Sequence, residues 1–337
     1  MKKKILILGG TQFVGRHLCE SLEKRSDVEV TLFHRGKTNP GLFPTFRHVL
    51  GDREAGGLIP LAQENWDAIV DFSGYYPRSL QTFLSALQEH PRTQLEKLRY
   101  IFVSTISVYD LERFDANEPI TAQSPILTWT EADETDRSMM TYGQRKAACE
   151  AAVRSFPEFS PVIFRPGLIY GPYDPTDRAY YWLWRQNQRK TLLVPDTLGL
   201  RTQMTFALDF AQILEKALFL NSIPEAVYLA LTHSPLPLAE IFEAMRSPDL
   251  PAPQLCPVNG DWLENQEIQY WQDLPLTLPF ERLFQNTPLQ RDFAGAFSSF
   301  AESMAQSRDY YAALGWPIPK SGLSPQREDQ LLATLKL

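Results

Sequence analysis

The sequence predicts an α/β fold, built as a doubly wound parallel sheet with a smaller C-terminal lobe. Three observations support this prediction. Short apolar runs alternate with stretches of helical periodicity through about residue 170. A glycine-rich turn directly follows the first of these runs. Beyond Gly171 the alternation ends and proline and tryptophan become denser, which indicates a second structural unit.

Six apolar runs have the length and continuous apolarity of strands that are buried on both faces. They are Ile5–Leu8, Val28–Phe33, Phe46–Leu50, Asp67–Phe72, Tyr100–Ser104 and Pro161–Phe164. Five stretches have the pattern of helices, with apolar residues on one face. They are Phe13–Lys24, Ser79–Glu89, Tyr142–Phe156, Ala207–Leu220 and Leu236–Met245. Strands that alternate with helices in this way are typical of a parallel sheet covered on both sides.

Composition excludes several classes of protein. The chain has 337 residues, 44% of them hydrophobic, and a net charge of −7, which excludes a disordered chain and argues against nucleic-acid or anionic-membrane partners. The three cysteines are isolated and the histidines lack metal-site spacing, so we expect a reducing compartment and no metal. No apolar run approaches the roughly 18 residues of a membrane span. We therefore expect a cytoplasmic monomer or homodimer that acts on a small molecule.

The glycine-rich turn Gly9-Gly10-Thr11-Gln12-Phe13-Val14-Gly15 lies between the first strand and the first helix. Backbone N–H groups at such a junction bind phosphate, and glycine permits its close approach. We expect Gly9, Thr11, Gln12, Phe13 and Val14 to contact a dinucleotide. Gln12 occupies the position of the middle glycine, where its amide could donate to the pyrophosphate.

The end of the second strand carries a base where an acid would select NAD. Arg35 lies 20 residues after Gly15, and no Asp or Glu occurs between Val30 and Asp52. A guanidinium suits a 2′-phosphate, which an acid would repel. The sequence thus favours NADP over NAD, unless Arg35 is only a solvated surface residue. Asp52 either contacts the adenine or caps a turn.

Tyr142 and Lys146 form the only YxxxK in the chain and share one helix face. A nearby ammonium stabilises tyrosinate, so we expect it to lower the pKa of the phenol toward the working range. The pair could then exchange a proton with a carbonyl oxygen. The strand that precedes this helix ends in Ser104-Thr105, a second source of hydroxyl groups near the same edge of the sheet.

These motifs together resemble the extended short-chain dehydrogenase/reductases, and most closely the atypical NAD-dependent epimerase/dehydratase branch. That branch has the patterns GGTxFxGR, SxxSVY, YGxxK and GPxDPTDR. Here they are Gly9–Arg16, Ser104–Tyr109, Tyr142–Lys146 and Gly171–Arg178. The resemblance runs from Met1 to about Ala211 and resumes weakly at Gly322–Leu332. It implies a Rossmann dinucleotide-binding domain.

The resemblance implies a role for each matching residue. Tyr142 would be the catalytic acid/base, Lys146 would tune it and bind the nicotinamide ribose, and Thr105 would bind the substrate oxygen. Ser73, Gly74, Pro166 and Ile169 would lie beside the cofactor. The substrate would meet Tyr75, Ser107, Arg178, Tyr181 and Trp182, unless the aromatic run that includes Tyr181 and Trp182 is core and Arg178 pairs with Asp174 or Asp177.

The domain prediction follows from these motifs. We expect residues 1–170, with 201–232 returning, to form the dinucleotide-binding domain. Residues 171–200 and 233–337 would form the substrate-binding lobe. Within it, Ser247–Pro279 is too rich in proline for a long helix or a central strand, since proline lacks the backbone donor. We expect it to form loops and short elements around a pocket.

Three functions remain open at this point. The first is an NADPH-dependent reductase of a carbonyl or conjugated C=C bond, favoured by Arg35 and with Tyr142 as the proton donor. The second is a nucleotide-sugar epimerase or dehydratase, which the family name favours. The third is a dinucleotide-binding sensor or RNA-binding protein without chemistry, which the intact Thr105, Tyr142 and Lys146 set argues against.

Overall fold

The computed structural model describes residues 2–91, 98–115 and 118–335. Its strands, in chain order, are β1 (Lys3–Leu8), β2 (Val28–His34), β3 (Arg47–Leu50), β4 (Ala68–Asp71), β5 (Arg99–Val103), β6 (Val162–Pro166), β7 (Leu168–Tyr170), β8 (Thr191–Pro195), β9 (Arg201–Thr202), β10 (Met204–Phe206), β11 (Val227–Ala230), β12 (Leu236–Pro237) and β13 (Gln254–Val258). Short 3₁₀ turns also occur, among them Arg53–Ala55 and Ile106–Val108.

The helices are α1 (Phe13–Leu22), α2 (Pro77–Glu89), α3 (Glu131–Thr135), α4 (Tyr142–Arg154), α5 (Arg178–Gln188), α6 (Ala207–Phe219), α7 (Leu238–Met245), α8 (Gly260–Asn265), α9 (Thr287–Asp292), α10 (Phe300–Ala313) and α11 (Pro325–Thr334). The five helices that the sequence predicts are therefore all present, with ends that shift by a few residues.

The central sheet confirms the predicted doubly wound fold. Seven strands lie in the order β3-β2-β1-β4-β5-β6-β11, and every neighbouring pair is parallel. The chain begins at β1 in the middle and winds outward in both directions. Six of these strands are the predicted apolar runs. The seventh, β11, was not predicted.

Two hydrophobic cores flank this sheet. On one face, α1 and α6 pack together against β1, β2 and β4. On the other face, α2 and α4 pack against the opposite sides of β1, β4 and β5. Because both faces are covered, strand residues such as Ile5 to Leu8 are fully buried, which explains their unbroken apolarity.

A third core lies in the C-terminal lobe, where α5 contacts α7 and β8 pairs with β13. Within the segment Ser247–Pro279, the structure has the short elements β13 and α8. The expectation that residues 171–200 and 233–337 form the lobe stays a prediction. Leu289, Phe293 and Ala296 pack in the core of the central sheet beside α6, so the chain returns there a second time.

Candidate active site

A cavity of about 850 Å³ lies along the carboxyl ends of the parallel strands, between the sheet and the C-terminal lobe. Ligands bind at this edge in doubly wound folds because the strand order reverses there. The predicted residues on its wall are Gly9, Thr11, Gln12, Phe13, Val14, Arg35, Asp52, Ser73, Tyr75, Thr105, Ser107, Tyr142, Lys146, Pro166, Ile169 and Arg178. The structure thus brings together residues from most of the predicted motifs.

The glycine-rich turn forms a cradle of backbone at its three glycines, Gly9, Gly10 and Gly15. Gly9 and Gly10 have φ angles of +108° and +102°, in the region that favours glycine. A Cβ on Gly15 would lie 2.8 Å from the Cα of Gly10, so α1 approaches the turn too closely for any side chain. No side chain caps the N-terminus of α1, since Gln12 makes no capping hydrogen bond. This arrangement fits a pyrophosphate.

The end of the cavity beside β2 is basic. Arg35 and Lys37 are exposed on its wall, and neither forms an ion pair among the described residues. Asn39 Nδ2 donates to the Thr11 carbonyl at 3.0 Å and ties this loop to the glycine-rich turn. Asp52 accepts from the Glu54 N–H at 3.0 Å, so it caps the 3₁₀ turn that begins at Arg53. Lys37 was not identified from the sequence.

A buried ion pair lies behind this end of the cavity. The Arg53 guanidinium donates to both carboxylate oxygens of Asp71, at 2.9 and 3.0 Å. Tyr100 donates to Asp71 at 2.6 Å, and the Ser73 N–H donates at 2.9 Å. The Arg53 charge holds the pKa of Asp71 below its usual range, against the opposing effect of burial. The sequence did not single out this network.

Tyr142 and Thr105 meet at the other end of the cavity. Burial raises the pKa of the Tyr142 phenol, and this outweighs the lowering by a Thr105 hydrogen bond and by the Arg178 charge. The expectation that Lys146 lowers this pKa is therefore wrong for the protein without ligand. The phenol is protonated at neutral pH. The ring of Tyr75 lies 6.5 Å from that of Tyr142, measured between centroids.

The side chain of Lys146 extends from α4 to the carboxyl ends of β4 and β5. Its Nζ donates to the carbonyls of Gly74 and Val103, at 2.9 and 2.8 Å, and the side chain is almost fully buried. Burial lowers its pKa. These two carbonyls, rather than a carboxylate, hold the ammonium.

A second buried ion pair supports helix α4, which carries Tyr142 and Lys146. Glu150 accepts from Arg165 at 2.8 and 2.6 Å and from the Ser104 hydroxyl at 2.6 Å. Arg165 also donates to Tyr109. Because Ser104 precedes Thr105 and Glu150 lies one turn after Lys146, the pair fixes the strand end and the helix relative to each other.

The wall opposite the sheet comes from the loop Gly171–Arg178 and from the proline-rich segment. Arg178 lies against the half-exposed ring of Trp271, with its guanidinium carbon 5.4 Å from the ring centroid. Leu278 lines the cavity beside them. Arg178 forms no ion pair within the described ranges. It is therefore a cation that a substrate anion could neutralise.

The same loop contains an unusual carboxyl group. Asp174 Oδ1 accepts from the Thr176 N–H and hydroxyl, both at 2.8 Å, whereas Oδ2 is buried and lacks a hydrogen bond. Burial raises the pKa of Asp174 to about 6. Tyr173 and Asp177 have φ angles of +68° and +57°, which are strained for residues with a side chain.

Three predicted residues do not lie on the cavity wall. Gly74 lies behind it and contributes its carbonyl to Lys146. Tyr181 and Trp182 are buried in the core of the lobe, where Tyr181 accepts from Arg185 and Trp182 donates to the Pro275 carbonyl. Helical spacing puts both aromatics on the inner face of α5, which is why the pocket prediction for them is wrong. Lys37, Tyr76, Trp271 and Leu278 line the cavity instead.

Residues 5–227 match the family described as NAD dependent epimerase/dehydratase, and the chain belongs to this family. One curated relative is the chloroplast stem-loop binding protein of 41 kDa b from Arabidopsis thaliana, 30% identical over 197 residues. That match covers 53% of this chain and 46% of the relative, so the chain spans about half of the relative's length.

Solved structures of proteins described as epimerases or dehydratases share the fold. A putative epimerase from Burkholderia cenocepacia has a TM-score of 0.69 at 13% identity, over 92% of this chain and 98% of that one. The UDP-glucuronic acid 4-epimerase of Bacillus cereus, in complex with NAD and UDP-glucuronic acid, has a TM-score of 0.66 at 16% identity, over 92% and 99%. A dTDP-glucose 4,6-dehydratase from Bacillus anthracis, with NAD, has 0.65 at 13% identity, over 98% and 99%.

Three further findings concern membranes, metals and thiols. None of the helices described here is long and apolar enough to cross a membrane. Across residues 2–91, 98–115 and 118–335, no cluster of three or more His, Cys, Asp or Glu side chains is arranged to hold a metal ion. Cys19, Cys149 and Cys256 are buried free thiols.

Proposed function

We propose that this chain is a nicotinamide-dinucleotide enzyme of the epimerase or dehydratase type, which acts on a carbon–oxygen centre of an anionic, nucleotide-linked sugar. One observation carries the proposal. A single cavity joins the glycine cradle at one end to Thr105, Tyr142 and Arg178 at the other. Family membership supports this type of reaction over simple reduction.

The residues divide the work along the cavity. The glycine-rich turn and the N-terminus of α1 would bind the pyrophosphate, and Lys146 would bind the nicotinamide ribose. A bound dinucleotide supplies the hydride acceptor and donor. Thr105 would orient the substrate oxygen by a hydrogen bond, and the Tyr142 hydroxyl would exchange a proton with that oxygen. Proton transfer through Tyr142 works in both directions, as an epimerase requires.

Two features of the cavity walls support the proposed chemical class of the cofactor and of the substrate. Arg35 and Lys37, which form no ion pair within the described ranges, are cations at the adenosine end, and they support a preference for the 2′-phosphate of NADP. At the opposite end, Arg178 would bind an anionic group of the substrate, and Trp271 would offer an aromatic surface for stacking. Tyr75 and Ser107 would complete the substrate wall.

A second candidate is the NADPH-dependent reductase of a carbonyl or conjugated C=C bond. Its specific support is the protonated Tyr142 phenol, which is ready to donate, together with the basic adenosine end. A reductase consumes one NADPH per product, whereas an epimerase returns the hydride to the same substrate. The two candidates therefore differ in stoichiometry.

The experiment uses this difference. The full chain is incubated with NADP⁺ or NAD⁺ and a panel that includes UDP-glucuronic acid and dTDP-glucose, and products are analysed by NMR. Inversion or loss of water without net change in absorbance at 340 nm is the expected result. A second arm contains NADPH with enals, enones or simple carbonyls, and stoichiometric loss of NADPH absorbance at 340 nm in that arm would favour the reductase. No turnover in either arm would contradict both.

The name of the Arabidopsis relative supports a third candidate, binding of a nucleic-acid stem-loop. The net charge of −7 opposes it, because phosphate backbones select basic surfaces. An electrophoretic mobility assay with labelled RNA stem-loops at low salt decides the question. We expect no complex at micromolar protein, and a complex that weakens steeply with salt would revive this candidate.

A further inference from the structure

We propose that the buried Arg53–Asp71 ion pair is a positioning unit for Lys146, which fixes both the place and the charge of the ammonium at the nicotinamide end. Neither residue touches the reacting atoms in this proposal. It rests on the proposed function only in taking Lys146 as part of the active site.

The first part of the argument is geometric. Asp71 is the last residue of β4, and its Oδ1 accepts from the Ser73 N–H at 2.9 Å. Arg53 Nη1 donates to the Ser73 hydroxyl at 3.1 Å, so both partners of the ion pair hold the turn that follows the strand. The next carbonyl in this turn, that of Gly74, accepts from Lys146 Nζ. The path from the ion pair to the ammonium therefore runs through two hydrogen bonds, one from the Ser73 N–H to Asp71 and one from Lys146 to the Gly74 carbonyl.

The turn has little freedom to move independently. A Cβ on Gly74 would lie 2.5 Å from the Phe102 ring and 3.2 Å from Asp71 Oδ2. Tyr100 donates to the same Oδ2 from β5 at 2.6 Å. The carboxylate is consequently fixed by groups from three directions, and any displacement of it would move the Gly74 carbonyl.

The second part of the argument is electrostatic. Lys146 is 2% exposed, and no carboxylate forms an ion pair with it among the described residues. The titratable groups that face it or lie near it are Arg53, Asp71, Tyr75, Tyr142, Cys149 and Glu150. Glu150 is neutralised by Arg165 and Arg154. Asp71 favours the charged ammonium and Arg53 disfavours it. The opposite effects of the two charges on Lys146 therefore offset each other while the pair is intact.

The pair also links two segments at this edge of the sheet. Arg53 lies in the turn that follows β3 and Asp52. Asp71 ends β4 and leads through Ser73 to Gly74. The unit therefore fixes the turn after β3 to the turn whose Gly74 carbonyl accepts from Lys146.

The test measures the titration of Lys146 directly by NMR of the full chain labelled with ¹³C at the lysine ε carbons. Lys146→Arg assigns the signal. Asp71→Asn leaves the Arg53 charge without its carboxylate partner, and we expect the titration midpoint of the Lys146 ammonium to fall by about one pH unit or more. Arg53→Gln leaves the carboxylate unopposed, and the midpoint should rise. The double variant should return to within about half a unit of the parent.

A merely structural role would not produce shifts of opposite sign. Tyr100→Phe is the matched control, because it removes one hydrogen bond to Asp71 without changing a charge, and it should leave the midpoint in place. Equal or same-direction shifts in all variants, or none, would overturn the proposal. If Asp71→Asn does not fold, Arg53→Gln and the double variant still decide it. The titration is independent of turnover, so failure of the proposed reaction would be a separate result.

Discussion

The two walls of the cavity are built in different ways. On the sheet side, three parts of the wall follow strand ends: the glycine-rich turn follows β1, Arg35 follows β2 and Thr105 follows β5. On the lobe side, Arg178 and Trp271 come from distant segments that meet only through tertiary packing. The comparison shows that strand order dictates much of the sheet side of the cavity, whereas the packing of the lobe dictates the opposite side.

The largest expected effect concerns the chemistry between the two walls. Tyr142→Phe keeps the packing of the ring and removes only the hydroxyl that exchanges the proton. We expect turnover to fall by roughly 10²–10⁴, with dinucleotide affinity unchanged by calorimetry. Tyr75→Phe, on the adjoining ring, is the matched control and should lose less than about tenfold. Turnover at the parental rate in Tyr142→Phe would exclude this tyrosine as the proton donor.

The second prediction tests whether the lobe can be weakened without the sheet. Glu328 of α11 is buried, pairs with buried Arg185 and accepts from the Leu193 N–H at 2.9 Å. Glu328→Ala should reduce the free energy of unfolding by about 3–5 kcal/mol, because it leaves the Arg185 charge unpaired.

Its neighbour provides the control. Asp329 is exposed and pairs with Arg189, so Asp329→Ala should cost less than about 1 kcal/mol in chemical denaturation. At temperatures where Glu328→Ala remains folded, it should bind the dinucleotide normally. Similar losses in both variants would show that the buried pair has no special role in the lobe.

The third prediction concerns the loop that connects the walls. The pKa of Asp174 is raised to about 6 in the folded protein, so the folded state binds an extra proton between about pH 4 and 6. Stability contributed by this protonation is present at low pH and is lost as pH rises through 6. The shift corresponds to about 3 kcal/mol at neutral pH.

Asp174→Asn removes the charge and keeps an acceptor for Thr176. The free energy of unfolding of this variant should increase relative to that of the parent as the pH rises from 4.5 to 7.5, measured by urea denaturation at each pH. The same difference at both pH values would show that the carboxyl does not titrate in this range.

The smallest effect tests the adenosine end of the sheet wall. Arg35→Ala should reduce the preference for NADP⁺ over NAD⁺ by about tenfold to a hundredfold in isothermal titration, the value of a charged hydrogen bond. Arg47→Ala is the control, since this exposed arginine of β3 pairs with Glu64 away from the cavity. Equal affinities for the two dinucleotides in the parent chain would remove the basis of this preference.

The same contrast explains what the sequence could predict. Strand length, helix periodicity and the glycine-rich turn are local signals, and they predict six of the seven sheet strands. The roles of the residues on the sheet side of the cavity stay predictions. Tyr181 and Trp182 were misjudged because aromatic residues at helical spacing look alike in a core and in a pocket. Arg53 and Asp71 were overlooked because an ion pair across two strand ends has no local pattern.

The start of α1 has a thermodynamic consequence. Its first N–H groups receive no side-chain cap, and Phe13 begins the helix with a φ of +49°. An anion seated there would supply the acceptors that the chain omits. Dinucleotide binding and folding are thus linked equilibria, and the melting temperature should climb with the logarithm of dinucleotide concentration above the dissociation constant.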